Sequence, residues 1–174
     1  VELISENEEI GAVFSNGWEF AQEAQELTLQ KSNNFKRGMV YKEILSQPDS
    51  IFYVGLLYRK NAIVKIGGWD ENLIIEDVDL FVRLTQRYSI DFLETPLVYY
   101  RRSSQSMSKN IDIMLEGKQQ YYKKFKNEKW INMKWWLSDQ YRRMAARSIH
   151  ECKIKYARKY LLQAIKIYPY SISH

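Results

Sequence analysis

One cysteine, Cys152, is all the thiol chemistry this chain has. That excludes an internal disulfide and a multi-cysteine zinc site, and the chain does not need an oxidising compartment. Long apolar runs are also missing. The longest, Ile51 to Tyr58, has eight residues, against the roughly 20 a membrane-spanning helix needs. The chain opens Val1-Glu2-Leu3, with neither Met nor a basic-then-apolar leader, so a cut fragment of a longer protein is expected. Glycine and proline are scarce, seven and three in 174 residues, while 45% are hydrophobic. That balance argues against general disorder and for a packed core: one domain, or a small domain with an appendage.

Charge is unevenly spread. Residues 1–100 carry 9 Lys/Arg and 16 Asp/Glu, a net of −7; residues 101–174 carry 17 and 5, a net of +12. An acidic half joined to a basic half suggests two units with different neighbours. The basic half suits anionic lipid or nucleic acid, or simply solvated helix faces. The positives are scattered and no nucleic-acid motif accompanies them, so nucleic acid is not expected as a partner.

The pattern of apolar residues sketches the elements. Ile10 to Ser15 reads as a buried strand, and residues 21–34 as mostly loop. Lys36 to Ser46 suits a short helix before Pro48, Ile51 to Tyr58 a strand or a loop feeding one, and Lys60 to Ile66 a helical turn or two closed by Gly67-Gly68. Glu76-Asp77-Val78-Asp79 begins a helix, with Arg83 and Arg87 downstream and Asp79 placed to pair with Arg83. Ser89 to Leu93 reads as a strand, interrupted at Pro96 and resumed over Leu97 to Tyr100; Arg101 to Lys109 reads as a polar loop.

Beyond Ile111 the period is helical. Three amphipathic helices are predicted, near 111–125, 134–150 and 153–168. Their stripes include Ile111, Leu115, Tyr121 and Phe125; Leu137, Tyr141, Ala145 and Ile149; and Ile154, Ala157, Leu161, Ala164 and Ile165. All three are expected to bury against something, with a membrane face as the sharper alternative. The last pair resembles one tetratricopeptide repeat, in the spacing of Ala157, Leu161, Ala164 and Pro169. A single such unit cannot stack into a solenoid, so a cap or docking surface is expected.

Val64 to Ser108 holds the chemistry. A Gly-Gly turn delivers Trp69 and Asp70, an acidic pair Glu76-Asp77 opens a helix, and a strand ends Tyr99-Tyr100-Arg101-Arg102. A carboxylate at a helix mouth can accept a hydroxyl proton. An aromatic beside it offers a flat face for a sugar ring, and two arginines can hold phosphate oxygens. Each piece also has a plainer account: a turn, a core tryptophan, helix-start acids, solvated arginines.

Gly-Gly-aromatic-Asp-Glu, a short gap, Glu-Asp-x-Asp-Leu, an apolar helix with Arg, and a strand ending Tyr-Arg resemble the family 2 glycosyltransferases of GT-A fold. The specific motifs cover about residues 50–108, with a weaker likeness back to residue 1. The resemblance implies an α/β fold: a partial GT-A mixed sheet over 1–108, the C-terminal half of that domain, followed by an α-helical extension over 109–174. It implies part of an inverting enzyme that moves a sugar from a nucleotide-sugar donor to a saccharide or lipid-linked acceptor. Asp77 would be the base, with Trp69, Asp70 and Glu76 toward the acceptor and Arg101 and Arg102 toward phosphate. The donor-binding half is not represented, so this piece alone is expected to be inactive. The alternative is a non-catalytic interaction module using the C-terminal hairpin.

Asp77-Val78-Asp79 also spells D-x-D, the metal signature of nucleotide-sugar enzymes. In a helix, residues two apart point about 200° away from each other, so no metal is assigned there. A divalent cation, Mg or Mn, is expected only for the full-length parent. The family often places His after Tyr-Arg, where this chain has Arg102-Ser103-Ser104. Peripheral contact with anionic membrane and self-association along an exposed seam are further expectations. The expected location is the cytoplasm, with the inner face of the membrane as a variant of it.

Overall fold

The computed structural model describes residues 2–21, 26–30, 35–103 and 105–169. The described residues form two units, one of residues 1–72 with 76–106, the other of residues 73–75 with 107–174.

The first unit is built on a mixed four-stranded sheet. Its middle strand, β1 (Ile10–Ala21), pairs in parallel along one edge with β4 (Ser89–Arg102). Its other edge takes β3 (Leu57–Tyr58) at Ala12 and Val13, and β2 (Thr28–Gln30) at Gly17 to Glu19, both antiparallel. From Ile10 to Gly17 every residue of β1 is buried. A strand covered on both faces reads as a continuous apolar run, which is why Ile10 to Phe14 shows no alternation. Its far end, Asn16 to Ala21, is more polar and extends beyond the expected boundary.

Pro96 does interrupt the pairing, but as a bulge inside a continuing strand. Ser15 pairs with Leu93 and Gly17 with Val98, so residues 94–97 stand opposite Asn16 alone. Proline has no N–H to give the ladder. Asn16 Nδ2 fills the gap by donating to the Glu94 carbonyl at 2.7 Å. Of the stretch expected as loop, residues 22–25 and 31–34 lie outside the described residues and residues 28–30 are β2.

The expected helix from Lys36 starts only at Tyr41: α2 is Tyr41–Ser46, after a short α1, Glu2–Glu6. Gly38 adopts φ 91° and exchanges backbone hydrogen bonds with Ile90, at 2.8 and 2.9 Å, which holds residues before Tyr41 out of helix. Next come α3 (Lys60–Lys65) and α4 (Glu76–Thr85), and both α2 and α3 pack on α4. Seven of the ten α4 residues are buried, Leu80, Phe81, Val82 and Leu84 completely. α4 is therefore a core helix that reaches solvent at Glu76 and Asp77 in its first turn and at Arg83. Phe14 lies between Phe35 and Phe92, at ring-centroid distances of 4.5 and 4.8 Å.

Gly17 is where β1 admits no side chain. An added Cβ would stand 2.3 Å from the Phe52 ring and 2.7 Å from Val98. Gly17→Ala is expected to destabilise the protein by about 1–3 kcal/mol through overpacking. The urea midpoint should fall with an unchanged m-value, and a Phe52→Leu background should recover part of the loss.

The second unit contains α5 (Ile111–Phe125), α6 (Met133–His150) and α7 (Ile154–Ile167), within two residues of the expected spans. Asn110 and Asn132 cap α5 and α6, each side-chain oxygen accepting from a backbone N–H at 3.1 Å. Tyr121 packs on Trp136 and Phe125 at 4.9 and 4.7 Å. Residues 73–75 belong here: the Ile74 N–H donates to Gln120 Oε1 at 2.9 Å, and Gly117 sits against Ile74 and Ile75.

α6 and α7 form a hairpin with small residues at its seam. Ala145, Ser148, Ala157 and Ala164 are buried, and Ser138 Oγ donates to the Ala164 carbonyl at 3.0 Å. Part of the expected face of α7 is corrected. Ala157 and Ala164 of the expected stripe are buried, with Tyr160 beside them, while Ile154, Leu161 and Ile165 of that stripe are exposed, as is Leu162. Alanine and serine let the helix backbones approach closely, a gain that larger side chains at the seam would forfeit. Ile149 of α6 is likewise 52% exposed.

Candidate functional site

The first unit brings both Trp69 and Asp77 near Tyr58. The Trp69 ring stands edge-on to Tyr58 with centroids 6.2 Å apart. The Asp77 carboxylate lies close enough that its charge, after burial as the larger cause, pushes the Tyr58 phenol above its ordinary range. Tyr58 is placed by its pairing with Ala12 and by Arg59 next to it. The Arg59 N–H donates to the Gly11 carbonyl at 2.8 Å, and its guanidinium donates to the carbonyls of Ile4, Asn7 and Ile10. Little in the sequence marks Tyr58: it ends an apolar run and looks like one more strand residue.

Trp69 is presented by the turn that ends α3. The N–H of Gly68 bonds the Ile63 carbonyl at 3.0 Å, and that of Gly67 bonds the Val64 carbonyl at 3.1 Å. Both glycines have positive φ, 90° and 72°, as this helix ending requires. The turn is then clamped from α4. Arg83 donates to the Ile66 carbonyl at 2.7 Å and to the Gly68 carbonyl at 2.6 Å, while its Nε holds Asp79 Oδ2 at 2.8 Å. Asp79 is only 1% exposed. The expected Asp79–Arg83 pair is therefore present, and it ties the buried body of α4 to the glycine turn. Trp69 itself is 50% exposed.

Asp77 and Glu76 occupy the first turn of α4, and both are half-buried. Asp77 Oδ1 accepts from the Val78 N–H at 2.7 Å. Asp70 Oδ1 accepts from the Asn72 backbone and side chain, each at 3.3 Å, and so shapes the loop after Trp69. The arginines expected to bind phosphate lie at the end of β4, side by side in sequence. Neighbours in a strand point to opposite faces. Arg102 forms an ion pair with Glu19, which also accepts from Gln30 Nε2 at 2.6 Å, and Arg101 lies over the Phe20 ring at 5.7 Å. Both partners are on β1.

A divalent cation does not fit these residues. Asp79 is buried against Arg83, and the described residues contain no group of three or more His, Cys, Asp or Glu that could hold a metal. No helix among the described residues is long and apolar enough to cross a membrane.

A comparison with curated proteins gives no match. The sequence profile of the family described as glycosyltransferase-like family 2 matches residues 3–167. That span takes in the sheet, the Trp69–Tyr58–Asp77 cluster and the three C-terminal helices, and this chain belongs to the glycosyltransferase-like family 2.

Proposed function

We propose that this chain supplies the base and the acceptor wall of an inverting glycosyltransferase. The donor is a nucleotide-sugar and the acceptor a saccharide or lipid-linked sugar. In this reading the nucleotide-binding strands belong to a segment other than these residues, and the chain alone does not turn over. The acceptor hydroxyl oxygen attacks the anomeric carbon from the face opposite the leaving group. Its bond to that carbon forms as the bond to the nucleotide phosphate breaks, and Asp77 takes the hydroxyl proton. A single in-line displacement inverts the anomeric centre. Trp69 is the platform for the acceptor ring, Glu76 and Asp70 border it, and Arg101 and Arg102, at the end of β4, are the cationic groups assigned to phosphate. No step is routed through a metal ion.

The observation that supports this reading is the placement of Trp69 and Asp77 against one phenol, at the first turn of a helix whose body is buried. In the full-length protein, Trp69→Ala is expected to raise the acceptor KM about tenfold or more through the lost apolar face. The donor KM should not move. An acceptor KM equal to that of the wild type rules out the platform.

A second reading, a protein-interaction module, is favoured by the exposed stripe Ile154, Leu161, Leu162 and Ile165 on α7. Lys155, Arg158 and Lys166 lie on the same helix. An anionic membrane surface is the other fit for such a face, and it would set the protein at the inner face of the membrane in the cytoplasm. Vesicle flotation that ignores both anionic lipid content and salt eliminates the membrane variant.

A further inference from the structure

A cavity of about 580 Å3 lies among α5, α6 and α7, within the size range of small-molecule sites. Its lining is polar. Asp112, Glu116, Gln119 and Lys123 follow one another at spacings of four, three and four along one face of α5. Gln163 and Tyr160 face it from α7. Asp112, Glu116, Lys123 and Lys159 are exposed at its rim, Gln119 and Gln163 are half-buried, and Tyr141 and Tyr160 are buried at its floor. Part of this set is satisfied internally. Buried Tyr160 donates its hydroxyl to Asp112 Oδ1 at 2.7 Å, and Gln119 Nε2 donates to the Tyr141 hydroxyl. Burial first, and then the bond to Asp112, keep the Tyr160 phenol protonated well above its ordinary range. Glu116, exposed at the rim, and Gln163, half-buried, have no protein hydrogen-bond partner among the described residues, so their polar atoms stand open to solvent or to a ligand in the cavity.

From this cavity we infer that the helical unit carries a saccharide-binding subsite, which docks a neutral portion of the acceptor chain. The charges select the ligand class. Two carboxylates, Asp112 and Glu116, are matched by two ammonium groups, Lys123 and Lys159. A balanced lining favours neither a nucleotide phosphate nor an anionic lipid. Carboxamides and carboxylates around a phenol floor suit groups that both donate and accept, and sugar hydroxyls do both. The volume suits about one or two sugar rings. This inference rests on the family's action on sugars and not on the role of Asp77.

The test is saturation-transfer NMR on the full chain. The probes are neutral hexasaccharides: cellohexaose, chitohexaose, maltohexaose and laminarihexaose. Transfer to at least one is expected. The Glu116→Ala/Gln163→Ala double variant should raise its Kd tenfold or more, and Gln163→Trp, which fills the cavity, should abolish transfer. Asp77→Asn should bind like the wild type, so failure of the catalytic reading leaves this result standing. Absence of transfer to all four probes overturns the subsite, as does equal affinity in the double variant and Gln163→Trp. Melting temperatures near the wild-type value show that the variants remain folded.

Discussion

Asp77→Asn in the full-length protein is expected to lower kcat by about 10²–10⁴-fold, the usual contribution of a positioned general base. Donor binding should be unaffected. Asparagine is the same size, and its carbonyl oxygen can keep the hydrogen bond that Asp77 Oδ1 accepts from the Val78 N–H. The buried body of α4, from Val78 to Thr85, does not depend on the carboxylate, so the melting temperature should stay near that of the wild type. What is lost is the capacity to take a proton. Asp77→Glu keeps that capacity but moves the oxygens by a methylene, so it should fall between the two. Turnover of Asp77→Asn equal to the wild type removes Asp77 from the reaction.

Arg83→Met should cost about 3 kcal/mol or more, the scale for breaking a buried ion pair from one side. Two losses combine. Asp79, 1% exposed, loses its guanidinium, and the carbonyls of Ile66 and Gly68 lose their donors. The second loss reaches the site, because the Gly67–Gly68 turn sets the position of Trp69. Arg83→Met should therefore weaken acceptor binding as well as stability. The Asp79→Leu/Arg83→Met double variant removes the charge together with its partner. It should recover a good part of the stability without recovering acceptor binding. Urea denaturation and acceptor KM measured on the same preparations separate the two effects. A double variant no more stable than Arg83→Met contradicts the assignment of the loss to the buried carboxylate.

Legibility varied with the kind of signal. α3 and the start of α4 were readable because punctuation marks them: two glycines that take positive φ, and acids in a first turn. α5 to α7 were readable from their period. The face of α7 was readable only in part: Ala157 and Ala164 of the expected stripe make the seam, but its larger members Ile154, Leu161 and Ile165 point outward. Hydrophobic size put the larger residues inside, whereas close approach of the helix backbones favours the small ones. β2 was missed because Thr28 to Gln30 is short, polar and only half-buried at best. It exists because Gly17 to Glu19 offers it an open edge. Lys36 to Val40 looked helical until the partnership of Gly38 with Ile90, 52 positions on, took it out of helix.

The candidate site divides the same way. Trp69, Asp70, Glu76 and Asp77 were visible as residue types in a motif. Tyr58 was not, because its significance comes from two neighbours that are distant in sequence. The Asp79–Arg83 spacing was readable, but not that the same guanidinium reaches back to the glycine turn. For Arg101 and Arg102 the sequence showed two adjacent cations but not their neighbours on β1, the Glu19 carboxylate beside Arg102 and the Phe20 ring under Arg101.

The most direct test of the proton-transfer claim is the pH dependence of kcat/KM for the acceptor, in wild type and Asp77→Asn. A required carboxylate gives the wild type an acidic limb of unit slope, because protonation disables the base. That limb should vanish in Asp77→Asn, leaving a low and flat profile. The same limb persisting in the variant would place the base elsewhere.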